Sequence, residues 1–255
     1  MEQDHLLGGD QSLSASRPAV LLLAHGERLN GQTNEAVTLM LSALRERKAA
    51  AEVGVGFLKG PPSIEEAVQR LSAQRVVVCP MFMAEGYFLR IATDRLRKAA
   101  MQDGRSRMID ILPALGVDPA LAEIAAARAA ATASERGFAL AETALALVAH
   151  GSLREKASQT ATDVLVERVR QLGPFETVLG AFLEQSPSLS EALSGHAGPT
   201  VVVGLFVGNG LHGQADLQRL MGTLPANRAA FAGNVGAWPD IADLVAARIA
   251  SSPLA

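Results

Sequence analysis

One unit is encoded twice in this chain. The segment AVLLLAHGERLN around His25 returns as ALALVAHGSLRE around His150, 125 residues later. At the same separation GFLKGPPSIEEAV, from Gly56, falls on AFLEQSPSLSEAL, from Ala181, so that Phe57 meets Phe182, Pro62 meets Pro187 and Ser63 meets Ser188. Small gaps then enter: RVVVCPMFMAEGYF lies over TVVVGLFVGNGLH, with Gly86 on Gly210 at 124, and LGVDPALAEI lies over VGAWPDIADL, with Pro119 on Pro239 at 120. A repeat of this length restricts the chain to folds that build one architecture twice and pack the copies together.

Each copy has the pattern of an α/β unit. Short apolar runs such as Val76 to Cys79 and Val201 to Val203 lack polar alternation, as strands do when both sheet faces are covered. Between the runs lie helical stripes: Val37, Met40, Leu41 and Leu44 fall on one face, and Leu165, Val166 and Val169 hold most of the same stripe in the second copy. Ser63 with Glu66, and Ser188 with Glu191, have the spacing of a capping box and mark helix starts. Alternating strand and helix predicts two similar doubly wound parallel-sheet α/β domains, each of about four strands with right-handed crossovers, facing each other across a cleft. The expected divisions are a disordered tail at 1–17, a first domain at 18–136 and a second at 137–255, joined near Ala133 to Leu140.

Composition narrows the function. With a net charge of -3 and no run of Lys or Arg, the chain lacks the concentrated positive charge of a nucleic-acid surface. No stretch approaches the roughly 20 apolar residues of a membrane helix. The N-terminal segment MEQDHLLGGDQSLSASRP carries acidic residues where a secretory signal needs basic ones. The single cysteine, Cys79, lies in the run RVVVCPMF and is expected to be a buried thiol in a reducing, cytoplasmic protein. Small-molecule chemistry remains.

Open α/β sheets bind ligands beyond the carboxyl ends of their strands. Of five histidines, His5 falls in the expected tail and His196 near a helix end, whereas His25, His150 and His212 follow strands. Glu184 directly follows the strand VLGAFL, and His212 follows GLFVGNG, whose glycines allow a loop to approach a ligand closely. His150, Glu184 and His212 thus end three neighbouring strands of one sheet. Two imidazoles and a carboxylate suit Fe(II), Co(II), Ni(II) or Zn(II), whereas magnesium and calcium prefer oxygen alone. A loop histidine that caps carbonyls and a carboxylate that serves the following helix are the structural alternatives.

At these residues the chain resembles the class II chelatases of tetrapyrrole biosynthesis, in the long two-copy form of the sirohydrochlorin cobaltochelatase and ferrochelatase family. The carriers are AHGS at His150, FLEQSPSLSEAL with Glu184, and VVVGLFVGNGLHG with His212, with echoes at AHGER, FLKGPPSIEEAV and CPMFMAEGYFLR. The resemblance implies insertion of a divalent metal, Fe(II) or Co(II), into sirohydrochlorin without ATP, for siroheme or cobalamin. It assigns metal handling to His150, Glu184 and His212. The first copy departs from the pattern, with Lys59 where Glu184 stands and Phe88 where His212 stands, so one metal site per chain is implied. His25 survives and is expected to face the substrate from the opposite lobe, with His25 or His150 removing protons; a leftover structural histidine is the alternative.

The implied substrate bears many carboxylates, for which Arg28, Lys59, Arg90 and Arg154 are candidate partners. No cofactor is expected beyond the metal substrate, and neither a P-loop nor a dinucleotide fingerprint occurs. The protein is expected to be a monomer or a weak homo-oligomer, since two fused copies supply both walls of a cleft. Two rivals stand beside this reading. The loss of ligands from the first copy suits a non-catalytic tetrapyrrole carrier or sensor. AHGER resembles the R-H-G-E start of histidine phosphatases, but Ala24 and Ala149 occupy the place of the arginine.

Overall fold

The computed structural model describes residues 17–26, 35–208 and 217–254. The expected tail at 1–17 therefore lies outside the described residues except for Arg17. The first half runs β1 (Ala19–Ala24), α1 (Glu35–Glu46), β2 (Glu52–Phe57), α2 (Ile64–Arg70), β3 (Arg75–Met81), α3 (Tyr87–Gln102), β4 (Met108–Ile111) and α4 (Leu121–Glu135). The second runs β5 (Ala144–Ala149), α5 (Ala157–Leu172), β6 (Thr177–Phe182), α6 (Leu189–Ala192), β7 (Thr200–Gly204), β8 (Ala229–Asn234) and α7 (Asp240–Ala250), with a further helical turn at residues 217–221. Both expected parallel sheets are present, in the orders β2-β1-β3-β4 and β6-β5-β7-β8.

Central strands β1 and β5 are buried along their whole length, which is why their sequences do not alternate. One face of the first sheet packs Leu21, Leu23 and Val78 under α2 and α3, through Ile64, Val68, Leu89 and Leu96. Both predicted capping boxes form: Ser63 caps α2 with Glu66, and Ser188 caps α6 with Glu191. The stripe of α1 buries Val37, Met40 and Leu44 on the opposite sheet face. Cys79 lies in that core with no solvent exposure, and burial pushes its thiol up to about 12, the character of an inert packing group.

The fourth helix of each half packs against the other half. Helix α4 follows the first sheet in sequence, yet it lies on β7, β8 and α5 of the second. Helix α7 follows the second sheet and lies on α1 and β3 of the first. Spacing explains the fit. Leu121, Ala125, Ala129 and Ala133 recur every fourth residue of α4 and are fully buried, and the small side chains of the three alanines let the helix lie close to its sheet. Ile241, Val245 and Ile249 make the matching stripe on α7.

Polar contacts follow the same exchange. Arg47, in the turn after α1, donates to Asp243 on α7 at 2.8 Å, and Arg128 on α4 pairs with Asp240 on α7. Arg248 of α7 lies 3.1 Å from Asp118 and also donates to the Pro113 carbonyl, both in the first half. The inner faces of both sheets consequently belong to one continuous apolar core. Among the described residues no helix is long and apolar enough to cross a membrane.

Candidate metal and substrate cleft

In each sheet the strand order reverses at the central strand, so the crevice for a ligand opens between β1 and β3, and between β5 and β7. His25 follows β1 and His150 follows β5, each at the carboxyl end beside that crevice. Parallel pairing continues past the strands and fixes the neighbours: Lys59 N–H donates to the His25 carbonyl at 2.8 Å, and Glu184 N–H to the His150 carbonyl at 3.0 Å. The next residue in each loop is a glycine with positive φ, 76° at Gly26 and 78° at Gly151. A Cβ on Gly26 would fall 1.8 Å from the Lys59 carbonyl oxygen, so only glycine lets the two strand ends stay together.

On the second sheet this register places the His150 Nδ1 3.5 Å from the Glu184 Oε2, and both side chains are more than half exposed. An imidazole and a carboxylate side by side at an open mouth offer a divalent cation two ligands and leave its other positions accessible. Among the described residues no set of three or more such side chains gathers. His212 lies outside the described residues, on the connection after β7, the strand that pairs with β5 on the side away from β6. Behind His150 a cavity of about 60 Å³ runs between the halves, lined by Met83, Gly116, Ala149 and Leu205. It is too small for a macrocycle.

The first sheet presents a different surface. His25 is half-buried, and its ring meets Phe88 edge to face, with centroids 4.7 Å apart. The Lys59 ammonium sits 5.3 Å from the centre of the same Phe88 ring. Burial, then the Lys59 charge and the nearby His150, hold His25 below the ordinary imidazole range, against an opposing hydrogen bond with the Gly26 carbonyl. His25 is thus neutral at neutral pH. The structure brings His25, Lys59 and Phe88 together, and His150 with Glu184, at the carboxyl ends of the two sheets.

The remaining cation candidates divide. Arg28 lies outside the described residues, and Arg154 is exposed. Arg90 donates to Glu155 at 3.0 Å and is engaged by a carboxylate of the protein itself. The sequence reading missed Glu155, which is 65 residues from Arg90 and carries no motif. It missed Gln185 too, whose Oε1 accepts from Ser152 N–H at 2.7 Å and braces the loop after His150 against Glu184.

The CbiX family model matches residues 19–132 and again residues 144–252. The chain belongs to the CbiX family. A Halobacterium salinarum relative named probable sirohydrochlorin cobaltochelatase is 27% identical over 219 residues, 78% of this chain and 75% of its own. Among solved structures, this CbiX family member is similar to CbiX, described as the terminal enzyme for biosynthesis of siroheme in denitrifying bacteria. The TM-score is 0.75 at 24% identity, covering 92% of this chain and 99% of that one. The sirohydrochlorin chelatase SirB from Bacillus subtilis subspecies spizizenii, solved in complex with cobalt, gives 0.70 at 16% identity, covering 92% and 94%. The chain spans about 55% of the length of the multi-domain DR2241 of Deinococcus radiodurans, similar over 91% of this chain with a TM-score of 0.70 at 23% identity. These structural likenesses share the fold, two parallel sheets with flanking helices.

Proposed function

We propose that this CbiX family member is a chelatase that inserts Fe(II) or Co(II) into sirohydrochlorin without ATP. The observation that carries the reading is the division of labour in the cleft. The ligand pair His150 and Glu184 ends one sheet, and a neutral base, His25, ends the other. The reaction asks for both. A divalent cation entering the macrocycle displaces two pyrrole N–H protons, so metal must be delivered and protons removed. The metal is a substrate, held by His150 and Glu184 with His212 as the third ligand. His25 accepts one of the two protons at its imidazole nitrogen, and the other passes to solvent at the open mouth. Apolar Tyr87, Phe88 and Leu153, all exposed near the mouth, suit the flat face of a tetrapyrrole. Lys59 and Arg154 suit its carboxylates.

The Halobacterium relative's name and the cobalt complex of SirB support both the substrate and the metal class. Both walls of the cleft come from one chain, so the reading calls for a monomer or a weak homo-oligomer, working in the cytoplasm with no resident cofactor. The test is the visible spectrum of anaerobic sirohydrochlorin mixed with Fe(II), and separately with Co(II), with and without the protein. A metal-dependent change accelerated by the protein is expected, and the two rates rank the metals. Tight pigment binding at the protein-free insertion rate would leave a carrier instead.

The state of His25 predicts the pH profile. A base is active only when unprotonated, and the folded protein lowers the pKa of His25, so its neutral form persists below the ordinary value of 6.5. The acid limb of the pH–rate profile is therefore expected to have its midpoint below 6.5 and to disappear in His25→Ala. A limb that is unchanged in that variant would assign the proton to another group.

A further inference from the structure

We propose that Glu155 is a positioning residue, supplied by one half to the other, which caps helix α3 and thereby holds Phe88 against His25. Helix α3 begins at Tyr87, and its N-cap is Gly86, which has no side chain to accept from the exposed N–H groups of the first turn. No acidic residue stands in that turn. Helices α2 and α6 each receive a local serine cap, whereas α3, like α5, has no side-chain cap from its own N-cap residue.

For α3 the cap comes from the loop after His150. One Glu155 carboxylate oxygen accepts from Tyr87 N–H, and the other accepts from Arg90 at 3.0 Å. Gly86 is shaped to this visitor: a Cβ there would stand 2.6 Å from the Glu155 Oε1 and 3.4 Å from the Ala157 Cβ. The capped turn also carries Phe88, the residue whose ring meets His25. A continuous chain of contacts thus leads from the loop of the metal-side His150, through Glu155 and the first turn of α3, to the base on the opposite sheet. The Tyr87 N–H first, and Arg90 after it, hold the Glu155 carboxyl below its ordinary range, so the contact is ionic at neutral pH. If the halves part at the mouth, α3 loses its cap and Phe88 its fixed position.

The activity arm of the test rests on the chelatase reading, and the spectroscopic arm does not. In the full chain, Glu155→Ala is expected to lower kcat for metal insertion about tenfold, because small displacements of positioned groups are costly. KM for the macrocycle should change less. Phe88→Ala should lose a similar factor, and the double variant no more than either single. Glu155→Gln keeps an acceptor for Tyr87 N–H and should recover part of the loss. Multiplicative losses in the double variant would overturn the proposal.

Independently, the His25 ring protons, assigned by comparison with His25→Ala, should move in the NMR spectrum of Glu155→Ala towards their positions in Phe88→Ala. His25 signals that keep their wild-type positions would overturn the proposal even if the enzyme turns over. A wild-type protein that inserts no metal would remove the chelatase reading while the NMR comparison still decides the role of Glu155.

Discussion

Replacing His150 by alanine is expected to reduce the rate of metal insertion by about 100-fold or more, since even the outer partners of metal ligands contribute about 10–100-fold. The fold should survive, because the side chain is 52% exposed and the preceding strand β5 makes its core contacts without it. The measurement is the initial rate of the metal-dependent spectral change, with a thermal melt to confirm folding. Glu184→Gln should be milder, because an amide oxygen still coordinates while the negative charge is lost. His25→Ala should slow the reaction yet leave binding of the cation itself nearly unchanged, and that split separates delivery of the metal from removal of protons. A His150→Ala protein that works within about threefold of wild type, a loss far below that of an outer partner, would take this residue out of metal handling.

The second large effect is on stability. Gly26→Ala is expected to cost about 3 kcal/mol, because strain at positive φ adds to a clash with backbone that has nowhere to move. The new Cβ would meet the Lys59 carbonyl oxygen at 1.8 Å, and that carbonyl is held by a residue hydrogen-bonded to His25. Gly137→Ala is the control. It has the same sign of φ, at 69°, with nothing within 4 Å of the added methyl, so it should cost only about 1 kcal/mol. For a chain of this size, thermal melts should separate the two by about 4–8 °C. Equal shifts would mean that the β1 and β2 ends are free to separate, and that the site geometry is not fixed by their register.

Much of this architecture can be read from the chain itself because the duplication supplies its own comparison. The strands β1 and β5 follow from unbroken apolar runs, and the helix starts at Ser63 and Ser188 follow from reciprocal side-chain and backbone hydrogen bonds that depend on local spacing alone. The adjacency of His150 and Glu184 is legible for a similar reason: consecutive parallel strands place their ends side by side. What could not be read are contacts between the halves. Nothing local in Glu155 or Arg90 announces a partner 65 residues away. The alanine stripe of α4 shows that this helix packs tightly, but periodicity says nothing about which sheet receives it.

The exchange of α4 and α7 has a consequence for how such a chain can change over time. A half whose roof is built by its neighbour cannot be discarded when its own chemistry is gone, since removal would strip the surviving sheet of a helix. Selection on either half therefore preserves the packing of the other, while the loop ends are free to change. Lys59 and Phe88, at the positions that match Glu184 and His212 in the repeat, stand on a framework that the other sheet still needs.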